Sequence, residues 1–117
     1  MMGVLQEKLA PIVVSVYTRL DHFKKCILSL QENDLSCESE LFIYSDAASS
    51  PIDIEGVDKV RNFSKNIKGF KKVTLIKREK NYGGIQNAVK GQKEVTERYG
   101  KSIFLEDDNV VSLNFLR

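Results

Sequence analysis

Cysteine and histidine are scarce in this chain, with two and one among 117 residues. Cys26 and Cys37 have neither C-x-x-C spacing nor a nearby partner set, which removes a structural zinc site from consideration. Cys26 falls on the apolar side of a predicted helix and reads as a buried, reduced thiol. His22, at the start of the same helix, reads as exposed rather than catalytic. No apolar run approaches the about 20 residues of a membrane span. Met1 to Ala10 lack a basic start, an apolar core and a small-residue cleavage site, so no signal peptide is visible and cytoplasmic residence is expected. Repeats, linkers and low-complexity tracts are missing too. The first strand is followed by Thr18-Arg19-Leu20-Asp21 instead of G-x-G-x-x-G, which argues against a dinucleotide-binding oxidoreductase.

What is present fits one soluble α/β domain over residues 1–117. Charged residues make up 29% and hydrophobic residues 42%, ordinary values for a globular chain. A net charge of +2 is too small to argue for nucleic acid. The positive charges are nevertheless concentrated from Lys59 to Lys80, where lysines solvating a helix face and strand ends account for most of them.

Periodicity orders the chain. Ile12–Tyr17 is rich in β-branched residues and suits a strand buried on both faces. Asp21 is placed as an N-cap, and Phe23, Cys26, Ile27 and Leu30 then predict a helix from about His22 to Asn33. A loop over Asp34–Glu40 leads to a second strand, Leu41–Tyr44, that ends on Ser45-Asp46, and Ala47–Asp53 is another loop. Val57, Val60, Phe63 or Ser64, and Ile67 mark a second helix starting at Ile54 or Glu55, with Gly69 as its C′ stop. Val73–Ile76 is a third strand. After Tyr82-Gly83-Gly84, the positions Ile85, Ala88, Val89, Val95 and Tyr99 mark a third helix ending at Gly100, and Ser102–Leu105 is a fourth strand.

A β-α-β-α-β-α-β order demands a mostly parallel, doubly wound sheet with right-handed crossovers and helices on both faces. Ligands of such sheets sit beyond the carboxyl ends of the strands. Those ends carry Thr18 and Arg19, then Ser45 and Asp46, then Arg78 and Asn81, and finally Glu106-Asp107-Asp108. Three adjacent carboxylates raise one another's cost of ionisation, so the last run needs either full exposure to water or a cation. With the fourth strand beside the first, in the order 3-2-1-4, Asp46 and Asp108 lie two strand spacings apart, roughly 10 Å, a span that suits a nucleotide laid across the sheet edge. Carboxylates there offer hard oxygen ligands to Mg²⁺ or Mn²⁺.

Together, Ile12 to Arg19, the strand-terminal Asp46, the run Arg78-Glu79-Lys80-Asn81-Tyr82-Gly83-Gly84-Ile85-Gln86-Asn87 and Phe104 to Asp108 resemble the nucleotide-sugar half of a GT-A glycosyltransferase of the family-two type. The resemblance implies a nucleoside-diphosphate sugar, with uridine as the expected nucleoside. Thr18 and Arg19 would line the uridine pocket, and Asp46 would accept from the uracil N–H. Asn81, Gly83, Gly84 and Asn87 would shape the nucleotide pocket, with Arg19 and Arg78 supplying positive charge at the phosphates. In the acidic motif, here Glu-Asp-Asp, Asp108 would ligate Mn²⁺ or Mg²⁺, Asp107 would bond to the donor sugar and Glu106 to ribose. The acceptor, whether a sugar, a lipid-linked sugar or a protein, and the catalytic base belong to a second half that such enzymes carry. The sequence runs only nine residues beyond Asp108, so that half is expected to be absent, leaving a face open to self-association. Two departures stand out: Ser45-Asp46-Ala47-Ala48 lacks the second acid and glycine of many relatives, and no residue here matches the base. The competing expectation is a regulatory α/β module with an acidic metal pocket. Receiver-like modules, however, place their paired acids after the first strand.

Overall fold

The computed structural model describes residues 9–113, 115 and 116. Four strands, β1 (Ile12–Val16), β2 (Glu40–Ser45), β3 (Lys72–Lys77) and β4 (Ile103–Glu106), alternate with helices α1 (Leu20–Gln31), α2 (Ile54–Ser64) and α3 (Gly84–Tyr99). All strand pairs are parallel and the sheet order is β3-β2-β1-β4, as the sequence predicts. The first crossover pairs β2 to one side of β1, while β4 returns on the other, so strand order reverses at β1. That reversal opens the crevice in which such sheets bind ligands.

The two faces of the sheet follow strand alternation. Ile12, Val14 and Val16 of β1 and Leu41 and Ile43 of β2 pack with Phe23, Cys26, Ile27 and Leu30 of α1 and Val60 of α2. On the other face Val13, Phe42 and Tyr44 meet Val95 of α3. Helix α3 comes close to the sheet because residue 91 is glycine: a Cβ there would lie 2.8 Å from the Tyr44 ring. No helix among the described residues is long and apolar enough to cross a membrane.

Several boundaries move. Helix α1 begins two residues earlier than expected, with Arg19 at the N-cap position and no side-chain cap. Phe23 N–H donates to the Arg19 carbonyl, so the first turn closes on Arg19 and Asp21 falls inside it. There its charge complements the helix dipole instead of capping. Helix α2 stops at Ser64, where short-range bonds from Asn66 to Phe63 and from Ile67 to Ser64 tighten the chain. Gly69 (φ +94°) therefore serves the turn into β3 and is not the C′ stop. Gly100 (φ +83°) does end α3, its N–H bonded to the Thr96 carbonyl. Short 3-10 turns at Ser36–Glu38 and Pro51–Asp53 occupy parts of the two expected loops.

Candidate functional site

The carboxyl ends of β1, β2 and β4 and the start of α3 enclose a cavity of about 650 Å³. Seven of the eleven expected site residues line it: Thr18 and Arg19 after β1, Asp46 after β2, Gly84 and Asn87 on α3, and Glu106 and Asp107 at the end of β4. Tyr17, Ile85 and Val89 add apolar wall. Arg78, Asn81, Gly83 and Asp108 stand outside this lining.

The acidic run is shaped locally. Asn109 Oδ1 accepts from the Glu106 N–H at 2.8 Å, and the Asn109 N–H returns to the Glu106 carbonyl at 3.1 Å. This turn divides the three acids. Glu106 and Asp108 face water, whereas Asp107 is buried. Asp107 Oδ1 accepts from Arg19 Nη2 at 2.8 Å, and Arg19 Nη1 lies 3.9 Å from Asp108 Oδ2. Burial pushes the Asp107 carboxyl above the ordinary carboxylate range; the Arg19 charge and hydrogen bond pull it back only in part, and the neighbouring Asp108 adds to the rise. Beneath the turn, the buried Cys26 thiol is pushed up to about 12, first by burial and then by Asp107 and Asp108, and stays protonated.

Asp46 is 2% exposed and its carboxylate is fully engaged. Oδ1 accepts from the N–H groups of Ala47 and Tyr82, both at 2.9 Å, while Oδ2 accepts from the Gly83 N–H at 3.0 Å and Asn81 Nδ2 at 3.3 Å. Asn81 Nδ2 also donates to the Ala47 carbonyl at 2.7 Å. Asp46 and Asn81 thus staple the start of α3 to the end of β2. No side chain caps the first turn of α3, and its first residue, Gly84, lines the cavity.

Arg78 lies in the interface between sheet and helix. Its guanidinium stacks on Tyr44 (4.8 Å) and Tyr82 (4.5 Å), Nε donates to Asn87 Oδ1 at 3.0 Å, and Nη2 pairs with Glu94 at 3.3 Å. Asn87 passes the link on to the Tyr44 carbonyl at 2.9 Å. Thr18 leans on α2, where only a glycine at 56 leaves room: a Cβ would come within 2.9 Å of the Thr18 Cβ.

Two residues emerge that the sequence did not single out for these roles. Arg61 of α2 donates from Nε to Ser45 Oγ at 2.9 Å and from Nη2 to the carbonyls of Ser45, Asp46 and Arg78, clamping the ends of β2 and β3. The available signal was its position four residues after the buried Val57, on the flank of the apolar stripe. Tyr17 donates to Asp53 Oδ2 at 2.7 Å and accepts from the Ser49 N–H at 2.9 Å, fixing the loop after β2 against the cavity.

The donor set at the acidic turn fits a hard divalent ion in a limited way. Among the described residues no three acidic, histidine or cysteine side chains converge on one point. An ion held by Asp108, with Asp107 beside it, would therefore depend on oxygens from a bound phosphate and water, the usual habit of Mg²⁺. The Arg19 guanidinium already shows that a cation fits against both carboxylates.

No family model matches the chain, and no curated protein matches it significantly. Solved structures do. A crystal structure of S. aureus TarS superposes with a TM-score of 0.61 over 91% of this chain, and one of TarS 1-349 with 0.59 over 89%, each at 17% identity. The likeness is one of fold. This chain spans 18% and 28% of those two chains. TarS is a family-two-like GT-A glycosyltransferase, so the α/β sheet with order 3-2-1-4 is the GT-A-like arrangement the motifs implied.

Proposed function

We propose that this chain is the donor-binding part of a glycosyltransferase and that its cavity takes a nucleoside-diphosphate sugar, a uridine nucleotide first among them, together with Mn²⁺ or Mg²⁺. The observation that carries the reading is the convergence, at the reversal point of a GT-A-like sheet, of a guanidinium, an acidic turn and an uncapped helix start around one cavity. The start of α3 offers backbone N–H groups and the positive end of a helix dipole to a phosphate. Arg19 offers a planar donor fork to the same group. Asp108 would hold the ion, Asp107 and Glu106 would receive sugar and ribose hydroxyls, and Thr18 and Tyr17 would bound the nucleoside. Asp46, Asn81, Asn87 and Arg78 build the wall that keeps α3 in place.

When bound, the divalent ion would act as a Lewis acid that stabilises charge gathering on a departing diphosphate. The chain's own residues supply position and fixed charge: Arg19 and the first turn of α3 orient the diphosphate, and Ile85 and Val89 shield one side of it from water. The acceptor and the base that deprotonates it would come from a further part of a complete enzyme.

Titration calorimetry with uridine diphosphate, with and without Mn²⁺, tests the reading. Binding is expected to require the metal and to be lost in Asp108→Ala. Binding indifferent to both would refute it.

A further inference from the structure

Arg19 is anchored at one end only. Its guanidinium touches Asp107 at 2.8 Å and reaches toward Asp108 at 3.9 Å, yet its side chain is 54% exposed while that of Asp107 is 7% exposed. Among the described residues, that carboxylate is the one hydrogen-bond partner of its side chain. The cation is thus held by the acidic turn while much of its side chain stays in water beside the cavity it lines. A divalent ion at Asp108 would come within a few ångströms of this positive charge, where the two repel.

We propose that Arg19 competes with the divalent cation for the carboxylates of Asp107 and Asp108 and transfers to the diphosphate of the ligand when the ion binds. The inference rests on reading the cavity as a metal-dependent nucleoside-diphosphate site. It makes the ion and the diphosphate interdependent. The ion alone must work against the guanidinium, whereas a diphosphate gives that guanidinium a second anionic partner suited to its fork geometry. Linkage then requires the metal to tighten nucleotide binding by the same factor as the nucleotide tightens metal binding.

The test is Mn²⁺ binding, read from the electron paramagnetic resonance of the free ion, with and without uridine diphosphate. Removing the competitor in Arg19→Met should tighten Mn²⁺ binding in the absence of nucleotide on the order of tenfold, within the span of ordinary coupling energies, and should shrink the enhancement that nucleotide confers. If Mn²⁺ affinity is unchanged or weaker in Arg19→Met while Asp108→Asn still abolishes binding, competition is overturned and the metal site stands. If the wild-type chain binds no Mn²⁺ even with nucleotide, both readings are overturned. Arg19→Met strips a buried carboxylate of its partner and could unfold the chain, so the wild type carries a second readout. The Arg19 Nε–H resonance should shift when Mg²⁺ and uridine diphosphate are added together, and a resonance that stays in place overturns the proposal.

Discussion

At the scale of single residues, Asp107 is held between two opposing effects, burial that favours its neutral form and Arg19 that favours its charge. Burial is the larger, so the folded chain holds a proton on Asp107 more readily than the unfolded chain does. The sign follows from linkage: where the native state binds more protons, stability falls as pH rises through the folded pKa and is recovered as pH falls back through it. Asp107→Asn keeps an acceptor for Arg19 and removes the charge. Thermal melts should therefore show the variant more stable than wild type at neutral pH, with the gap closing toward the ordinary carboxylate range near about pH 4. Arg61 makes the opposite case. Arg61→Ala removes four hydrogen bonds and leaves carbonyls at the ends of β2 and β3 without their donor. Chemical denaturation should register a loss of about 3 kcal/mol, far above the effect of truncating a solvated lysine such as Lys59. The sequence does not separate Arg61 or Arg78 from the lysines around them, because their roles depend on carbonyls and rings brought in from other elements. Arg78 looks like a phosphate ligand by its place after β3, and only the fold puts it between Tyr44 and Tyr82.

At the scale of elements, α3 is held on the sheet by the Gly91 contact and the Asp46 staple together with the Arg78–Asn87 link to Tyr44. Gly91 faces the Tyr44 ring, and a rigid ring cannot yield as a flexible side chain would. Gly91→Ala should cost about 1–3 kcal/mol through overpacking, checked by denaturant midpoints. The staple is Asp46, whose loss in Asp46→Ala orphans the amides of Tyr82 and Gly83. Hydrogen exchange at those two amides should accelerate well before the core of β1 responds, and global stability should fall by about 2–3 kcal/mol. The strands were legible because β-branched runs bounded by polar clusters admit few other readings, and β1 is buried at every position but Ser15. Caps were less so. Asp21 has the chemistry of an N-cap, but the chain turns into α1 from Thr18 and Arg19, and that geometry is decided by how β1 feeds the helix.

At the scale of the whole molecule, topology made the site partly readable. Parallel strands send every carboxyl end to one edge, so residues far apart in sequence were expected together. The cavity does gather Arg19, Asp46 and Asp107 from three strands. What strand-end position alone does not give is which of those polar groups are spent inside the protein. Asp46, Asn87 and Arg78 have their bonds satisfied within the fold, whereas Arg19 and Asp108 keep much of their side chains in water. The measurement that bears most directly on the donor-site reading is paramagnetic broadening of backbone amide signals by Mn²⁺, recorded with and without uridine diphosphate. Broadening should be greatest at Glu106 to Asn109, extend to Thr18 and Gly84, grow when nucleotide is present and disappear in Asp108→Asn. Broadening centred elsewhere on the surface, or unaffected by nucleotide and by Asp108→Asn, would contradict the assignment of this cavity as a metal-dependent nucleotide-sugar site.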